Sequence, residues 1–253
     1  MEPNTTNLAV GPNGCIEGSV KMVGNNQLPG EDNSMRFSLF QAWCQNKQTA
    51  MEKFFPEVET DKTRITTKWM EAGSHVAECL EERPLPWWLS DMTPADISEY
   101  RIIEEFDGFR IRGTLDKFQE DKNTVIDNKT LKRKMTAKEE KEMNEKVTYT
   151  LEDFTSLKSK FDEKDAKKHK KQLAFYQVLV QERHGHVDPE AYIEVIPVIQ
   201  DINGLIRRTG EPAHMVLVEI TDKDRAEMKQ LMVDTVKDVS ICYQAYRRGD
   251  IKL

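Results

Sequence analysis

The alternation of apolar and polar positions divides the chain into a polar leader, helical segments, a strand-rich centre and a tail of helix, strands and helix. Residues 1–34 are rich in Asn, Gly and Pro and carry no apolar period, which predicts a flexible arm ahead of one domain over 35–253. Ser38 stands before Leu39, Phe40, Trp43 and Cys44, placed as the cap of a first helix. A second helix is expected over about 62–82, with Trp69, Val76, Cys79 and Leu80 on its apolar side. Pro84 and Pro86 end it, because neither can continue a helix.

From Tyr100 the period shifts towards two. YRIIEEF (100–106) and FRIRGTLDKF (109–118) flank Asp107-Gly108, a hairpin signal in which both turn residues need positive φ. In the second run Phe109, Ile111, Gly113 and Leu115 share one face, and Arg110, Arg112, Thr114 and Asp116 the other. QEDKN is a second turn, leading into a short strand, TVIDNKTL (124–131). Residues 132–165 are strongly charged and are expected to be a solvated insertion, with a flap beside the active centre as the functional alternative. Helical spacing returns from Asp165 to Glu182, with Leu173, Tyr176, Leu179 and Val180 on one side. Strands follow at 191–199 and 214–220, and Thr221-Asp222 caps a last helix through Met228, Leu231, Met232, Val236 and Tyr243. This order predicts an α/β (α+β) fold with a mixed central sheet and flanking helices.

The chain length of 253 residues suits one sizeable domain. No run approaches the ~20 apolar residues that span a bilayer, and the first residues lack a secretory pattern. The four cysteines are widely spaced, without a Cys-x-x-Cys pair, which fits free thiols in a reducing, cytoplasmic setting, a virus-encoded origin included. The net charge of −7 means that any nucleic-acid contact must come from a local basic patch.

One constellation carries chemistry. Asp127 and Lys129 lie two apart on a strand and share a face, and the short turn before them brings Asp116 alongside. Two carboxylates and the Asn128 carbonyl offer hard oxygen ligands for Mg²⁺ or Mn²⁺. Such a cation stabilises charge on a scissile phosphate and makes water more acidic. Lys129 is suited to orient that water or to neutralise the developing charge. Alone, Asp-x-Lys is as readily a strand-surface salt bridge.

Its neighbours make it specific. GTLD (113–116), VIDNKT (125–130) and QLAFYQVLV (172–180), preceded by GSHVAECLE (73–81) and SLFQAWCQNK (38–47), resemble the RecB-like exonuclease branch of the PD-(D/E)XK nuclease superfamily over about residues 35–245. The resemblance implies a restriction-endonuclease-like core. Asp116 takes the place of the family's first acid, Asp127 and Lys129 its D-x-K, and His75 its metal-binding histidine. Gln172 and Tyr176 match its Q-x-x-x-Y helix motif. From the residues alone, Gln172 and Tyr176 share a helix face and suit phosphate binding, bracing of the carboxylates, or a core tyrosine beside an edge glutamine.

The run Lys167 to Lys171 leads into Gln172 and is either a solvated helix start or a phosphate-contacting patch, with Lys168 and Lys171 the candidates. Cations early in a helix oppose its dipole, which an external anion would relieve. Arg110, Arg112, Lys132, Arg133 and Lys134 are weaker candidates. Trp87-Trp88 is expected to pack on the domain rather than stack on bases. Asn128 stands where an aromatic is frequent in this branch, a departure that leaves its backbone carbonyl available. With Cys242 alone late in the chain, the iron–sulfur cluster of some relatives is not expected. No GxxxxGK[ST] motif is present, so ATP-driven unwinding would need a separate helicase or recombination partner.

The expected activity is Mg²⁺- or Mn²⁺-dependent hydrolysis of DNA phosphodiester bonds, with exonuclease action in recombination, repair or viral DNA processing foremost. The alternatives are a non-catalytic nuclease-fold DNA-binding or recruitment module, and a structure-selective or site-specific endonuclease.

Overall fold

The computed structural model describes residues 27–30, 32–56, 68–81, 89–121, 123–133, 138, 161, 163–185, 190–200, 206–208 and 212–253. Its elements run β1 (Ser34–Arg36), α1 (Phe37–Gln45), α2 (Lys47–Phe54), α3 (Lys68–Glu81), β2 (Ile97–Phe106), β3 (Phe109–Gln119) and β4 (Thr124–Arg133). Then come α4 (Glu163–Lys167), α5 (Lys170–His184), β5 (Ala191–Gln200), β6 (Ile206–Arg208), β7 (His214–Leu217) and α6 (Asp222–Arg248).

The strands form one seven-stranded sheet. β2, β3 and β4 are an antiparallel meander whose first turn is Asp107-Gly108, with φ of 49° and 80° as that turn requires. β4 and β5 then pair in parallel from Val125↔Ala191 to Arg133↔Ile199. A parallel pair needs a long crossover, and α4 and α5 lie within it. The sheet is therefore mixed, with helices packed on it, as the order of apolar periods predicts. Ala191, Ile193, Val195, Ile196 and Val198 of β5 are all buried, as befits a strand covered on both faces.

α5 is buried without interruption from Leu173 to Val180 because it lies between the sheet and α6. Its closest approach is at Gly113 of β3, where a Cβ would stand 2.8 Å from Leu179 Cδ1 and 2.9 Å from Tyr176 Cδ1. α6 starts from a capping box between Thr221 and Asp224 and ends at Gly249 in the left-handed conformation. It is tied to α1 by the bond from Trp43 Nε1 to Asp238 Oδ2 at 2.9 Å. Among the described residues, no helix is long and apolar enough to cross a membrane.

Several local expectations are corrected. Ser38 caps nothing: β1 runs straight into α1, and Arg36 holds the N-cap position without a side-chain bond. The helix expected from Asp165 is broken at 168–169 into α4 and α5. The strand expected to end at 220 ends at Leu217. Within the leader, Leu28 is buried in the main core and Ser34 begins β1, so packed chain starts upstream of Met35. Residues 62–67, Pro84 to Trp88, and the insertion at 134–137 and 139–160 lie outside the described residues.

Candidate active site

The site forms where β3 and β4 part. The two strands pair only from Lys117↔Ile126 to Gln119↔Thr124. β2 occupies the other edge of β3 along its length, while β1 pairs with β3 at Arg110 to Arg112. In the gap between β1 and β4 stands Asp116, whose Oδ2 accepts the backbone N–H of Asn128 at 2.7 Å. The β2–β3 ladder is also interrupted here. Glu99, across from Asp116, has φ of 50°, and the register skips both residues. Strict alternation fails at this kink, so the adjacent residues Asp116 and Lys117 line one cleft, with Glu99, Asn128, Thr130 and, from α3, Val76 and Leu80.

Asp127 is 2% exposed. Its Oδ1 accepts a bond from Gln172 Nε2 at 3.0 Å, and the same nitrogen donates to the Tyr176 hydroxyl at 3.2 Å. Lys129 Nζ lies 2.5 Å from Asp127 Oδ2 and opposes the effect of burial on that carboxylate. The Lys129 side chain retains 28% exposure.

These carboxylates are electrostatically strained. Burial, then the charge of Asp127, pushes Asp116 up to about 6, and the Asn128 N–H, Lys129 and Lys117 offset this only in part. Asp127 is raised as well, burial outweighing Lys129. Burial raises Tyr176, so its hydroxyl keeps its proton at neutral pH. His169, the N-cap of α5, is lowered by burial and then by the nearby charges of Lys129 and Lys168.

Of the residues singled out in the sequence, Asp116, Asp127, Asn128, Lys129, Gln172 and Tyr176 come together. Each partner is set by an element: the kinked β3, the diverging β4, and the one face of α5 that carries both Gln172 and Tyr176. His75 stands apart. It is exposed on α3, its Nε2 lies 3.8 Å from Cys79 Sγ, and the α3 side chains at the cleft are Val76, Ala77 and Leu80. No group of three or more His, Cys, Asp or Glu that could hold a metal occurs among the described residues. Lys168 pairs with Asp165 at 2.5 Å and Lys170 with Asp224 at 2.8 Å, so part of the basic run is neutralised within the fold. Lys171 is exposed in the first turn of α5.

Sequence reasoning missed Lys117 and Glu194. Glu194, 1% exposed on β5, accepts the Thr93 N–H at 2.6 Å and pairs with Lys117, whose ammonium also bonds the Thr93 carbonyl at 2.9 Å. This buried pair clamps the segment before β2 beside Asp116. The signal was there: a lone Glu inside the apolar run YIEVIPVI must find a partner if buried.

The residues fit a divalent cation. Half-buried Asp116 and buried Asp127 bring two carboxylates against the one Lys129 ammonium, and the donors are hard oxygens.

No family model and no curated protein sequence matches the chain. Solved structures similar to it in outline include the following two. A protein from Eubacterium rectale, named "Putative exonuclease", is 11% identical with a TM-score of 0.48, over 87% of this chain and 83% of that one. The protein SSO0001 is 14% identical with a TM-score of 0.33, over 82% of this chain and 77% of that one. Values this low say nothing of activity.

Proposed function

We propose that the protein is a Mg²⁺- or Mn²⁺-dependent nuclease that hydrolyses DNA from its ends. The observation that carries this is the pair of mutually repelling carboxylates, half-buried Asp116 and buried Asp127, meeting Lys129 where two strands diverge. A fold has little reason to gather such charges without chemistry, because each is costly to bury.

In this reading Asp116, Asp127 and the Asn128 carbonyl hold the cation, which would supply charge neutralisation at the phosphate and a more acidic water. Lys129 uses its partly exposed stem to reach a phosphate oxygen or to orient the attacking water. Gln172 fixes the Asp127 carboxylate by donating to Oδ1. Tyr176, kept protonated, braces Gln172 from the buried side. Lys168, in the break before the same helix, and Lys171, in its first turn, are the phosphate contacts of this reading.

End-labelled linear DNA and covalently closed circular DNA, each incubated with Mg²⁺, Mn²⁺ or EDTA, test the proposal. Mononucleotide or short-oligonucleotide release from linear DNA alone, abolished by EDTA, is expected. Nicking of the circle would move the reading to an endonuclease. A folded protein that binds DNA and releases nothing with either metal would make it a non-catalytic binding module.

A further inference from the structure

A second cationic feature lies outside the catalytic constellation. Asp32, in the segment before β1, gathers arginines from the β2–β3 hairpin. Its Oδ2 accepts from Arg101 Nη2 at 2.7 Å and from Arg112 Nη1, and its backbone carbonyl accepts from Arg110 Nη1 at 3.2 Å. Ser34 Oγ donates to Oδ1 at 2.9 Å and fixes the carboxylate. Burial would raise the Asp32 pKa, but the Ser34 bond and the charges of Arg112 and Arg101 hold it below the usual carboxylate range, so it stays ionised.

Pinning the segment to the sheet would need one arginine. Here three converge, and Arg36 is near enough for its charge to be felt at Arg112. Glu105, opposite Arg110 in the register, is a further carboxylate beside these arginines. Among the described residues, Arg36, Arg101, Arg110 and Arg112 outnumber Asp32 and Glu105 here, on a chain of net charge −7. Arg112 is pulled down by burial, and the crowding of Arg101 and Arg36 acts against Asp32 in the same direction. An external anion would relieve that crowding. The guanidinium groups remain accessible: the Arg101 side chain is 52% exposed and that of Arg112 25%.

The placement is directional. Gly113 and the Gln172-bound Asp127 face α5, so Arg110, Arg112 and Thr114 lie on the opposite face of β3, the face of the α3-side cleft, which Asp116 reaches from the fork. At ~3.3 Å per strand residue, Arg112 is about 13 Å and Arg110 about 20 Å from Asp116. At ~3.4 Å per nucleotide, that is about four to six nucleotides.

We infer that Arg101, Arg110 and Arg112, organised by Asp32, form a track for the phosphate backbone of a DNA strand that runs along this face from Asp116 at the fork of β3 and β4. The inference deepens the nuclease reading and rests on it for the direction of the strand. Guanidinium groups suit this role because they bind phosphate in fixed, bidentate geometry, and such contacts position the strand without reading its sequence.

Binding of a labelled 12-nucleotide strand in EDTA, followed by anisotropy over a salt series, tests the track apart from catalysis. Arg110→Gln, an exposed position bonded to a backbone carbonyl, should lower the slope of log Kd against log salt by about one. Arg101→Gln/Arg110→Gln/Arg112→Gln should raise Kd at least tenfold and weaken cleavage of 12-mers far more than of 3-mers. Unchanged Kd in Arg110→Gln, or binding of phosphatidylserine vesicles in place of DNA, overturns the track. If the parent binds through these arginines but never cuts, the track stands and the nuclease reading falls. If it cuts and both variants match it, the reverse holds.

Discussion

At Asp116 the chemistry of one carboxyl sets a measurable pH dependence. Its pKa rises from 3.8 to about 6 in the fold, so the folded state binds the proton more tightly than the unfolded chain. In EDTA, stability from this group is therefore greatest below about 4, falls as pH rises towards about 6, and is level above it. Asp116→Asn should flatten that fall in urea-denaturation curves and should be no less stable than the parent at pH 7. Lys129→Ala should cost about 10²–10³-fold in turnover with an unchanged fold, the scale of losing one transition-state charge contact, read by initial cleavage rates. Both residues were legible because Asp-x-Lys on a strand and an acid on its neighbour leave a pattern in the sequence. Glu99 and the kink that turns Asp116 and Lys117 into one cleft were not: a positive φ at a glutamate is imposed by tertiary structure, not by propensity.

Among the elements, the clearest were those where period and punctuation agree. The Asp107-Gly108 hairpin has two positive φ values, and α6 starts at the expected cap Thr221, in a capping box completed by Asp224. Thr221→Ala should cost about 1 kcal/mol, measured by thermal denaturation. Gly113→Ala should cost about 1–3 kcal/mol, since its Cβ would meet Leu179 and Tyr176 at under 3.0 Å. It should also lower activity, because displacing Tyr176 moves Gln172 off Asp127. β1 and β6 escaped notice because three-residue strands owe their existence to pairing rather than to any local period. The break between α4 and α5 escaped because a continuous run of helix-forming lysines hides it. His75 shows the opposite failure: a residue in a suggestive position along the chain whose side chain is exposed and not grouped with the carboxylates.

For the molecule as a whole, the mixed sheet places the acids at its fork, with an arginine-bearing face leading away on the side of the cleft that Asp116 lines, inside a chain of net charge −7. An acidic body with local cationic surfaces should bind DNA weakly at physiological salt and gain sharply as salt is lowered. The central claim is that Asp116, Asp127 and Lys129 act together on a phosphodiester. The most direct measurement is the initial rate of nucleotide release from linear DNA in Mn²⁺ for the parent, Asp116→Asn, Lys129→Ala and the double variant, with folding checked by circular dichroism. Each single variant should lose at least 100-fold and the double variant little more than either, as residues of one catalytic unit do. Release at the parental rate by folded Lys129→Ala or Asp116→Asn would contradict the central claim.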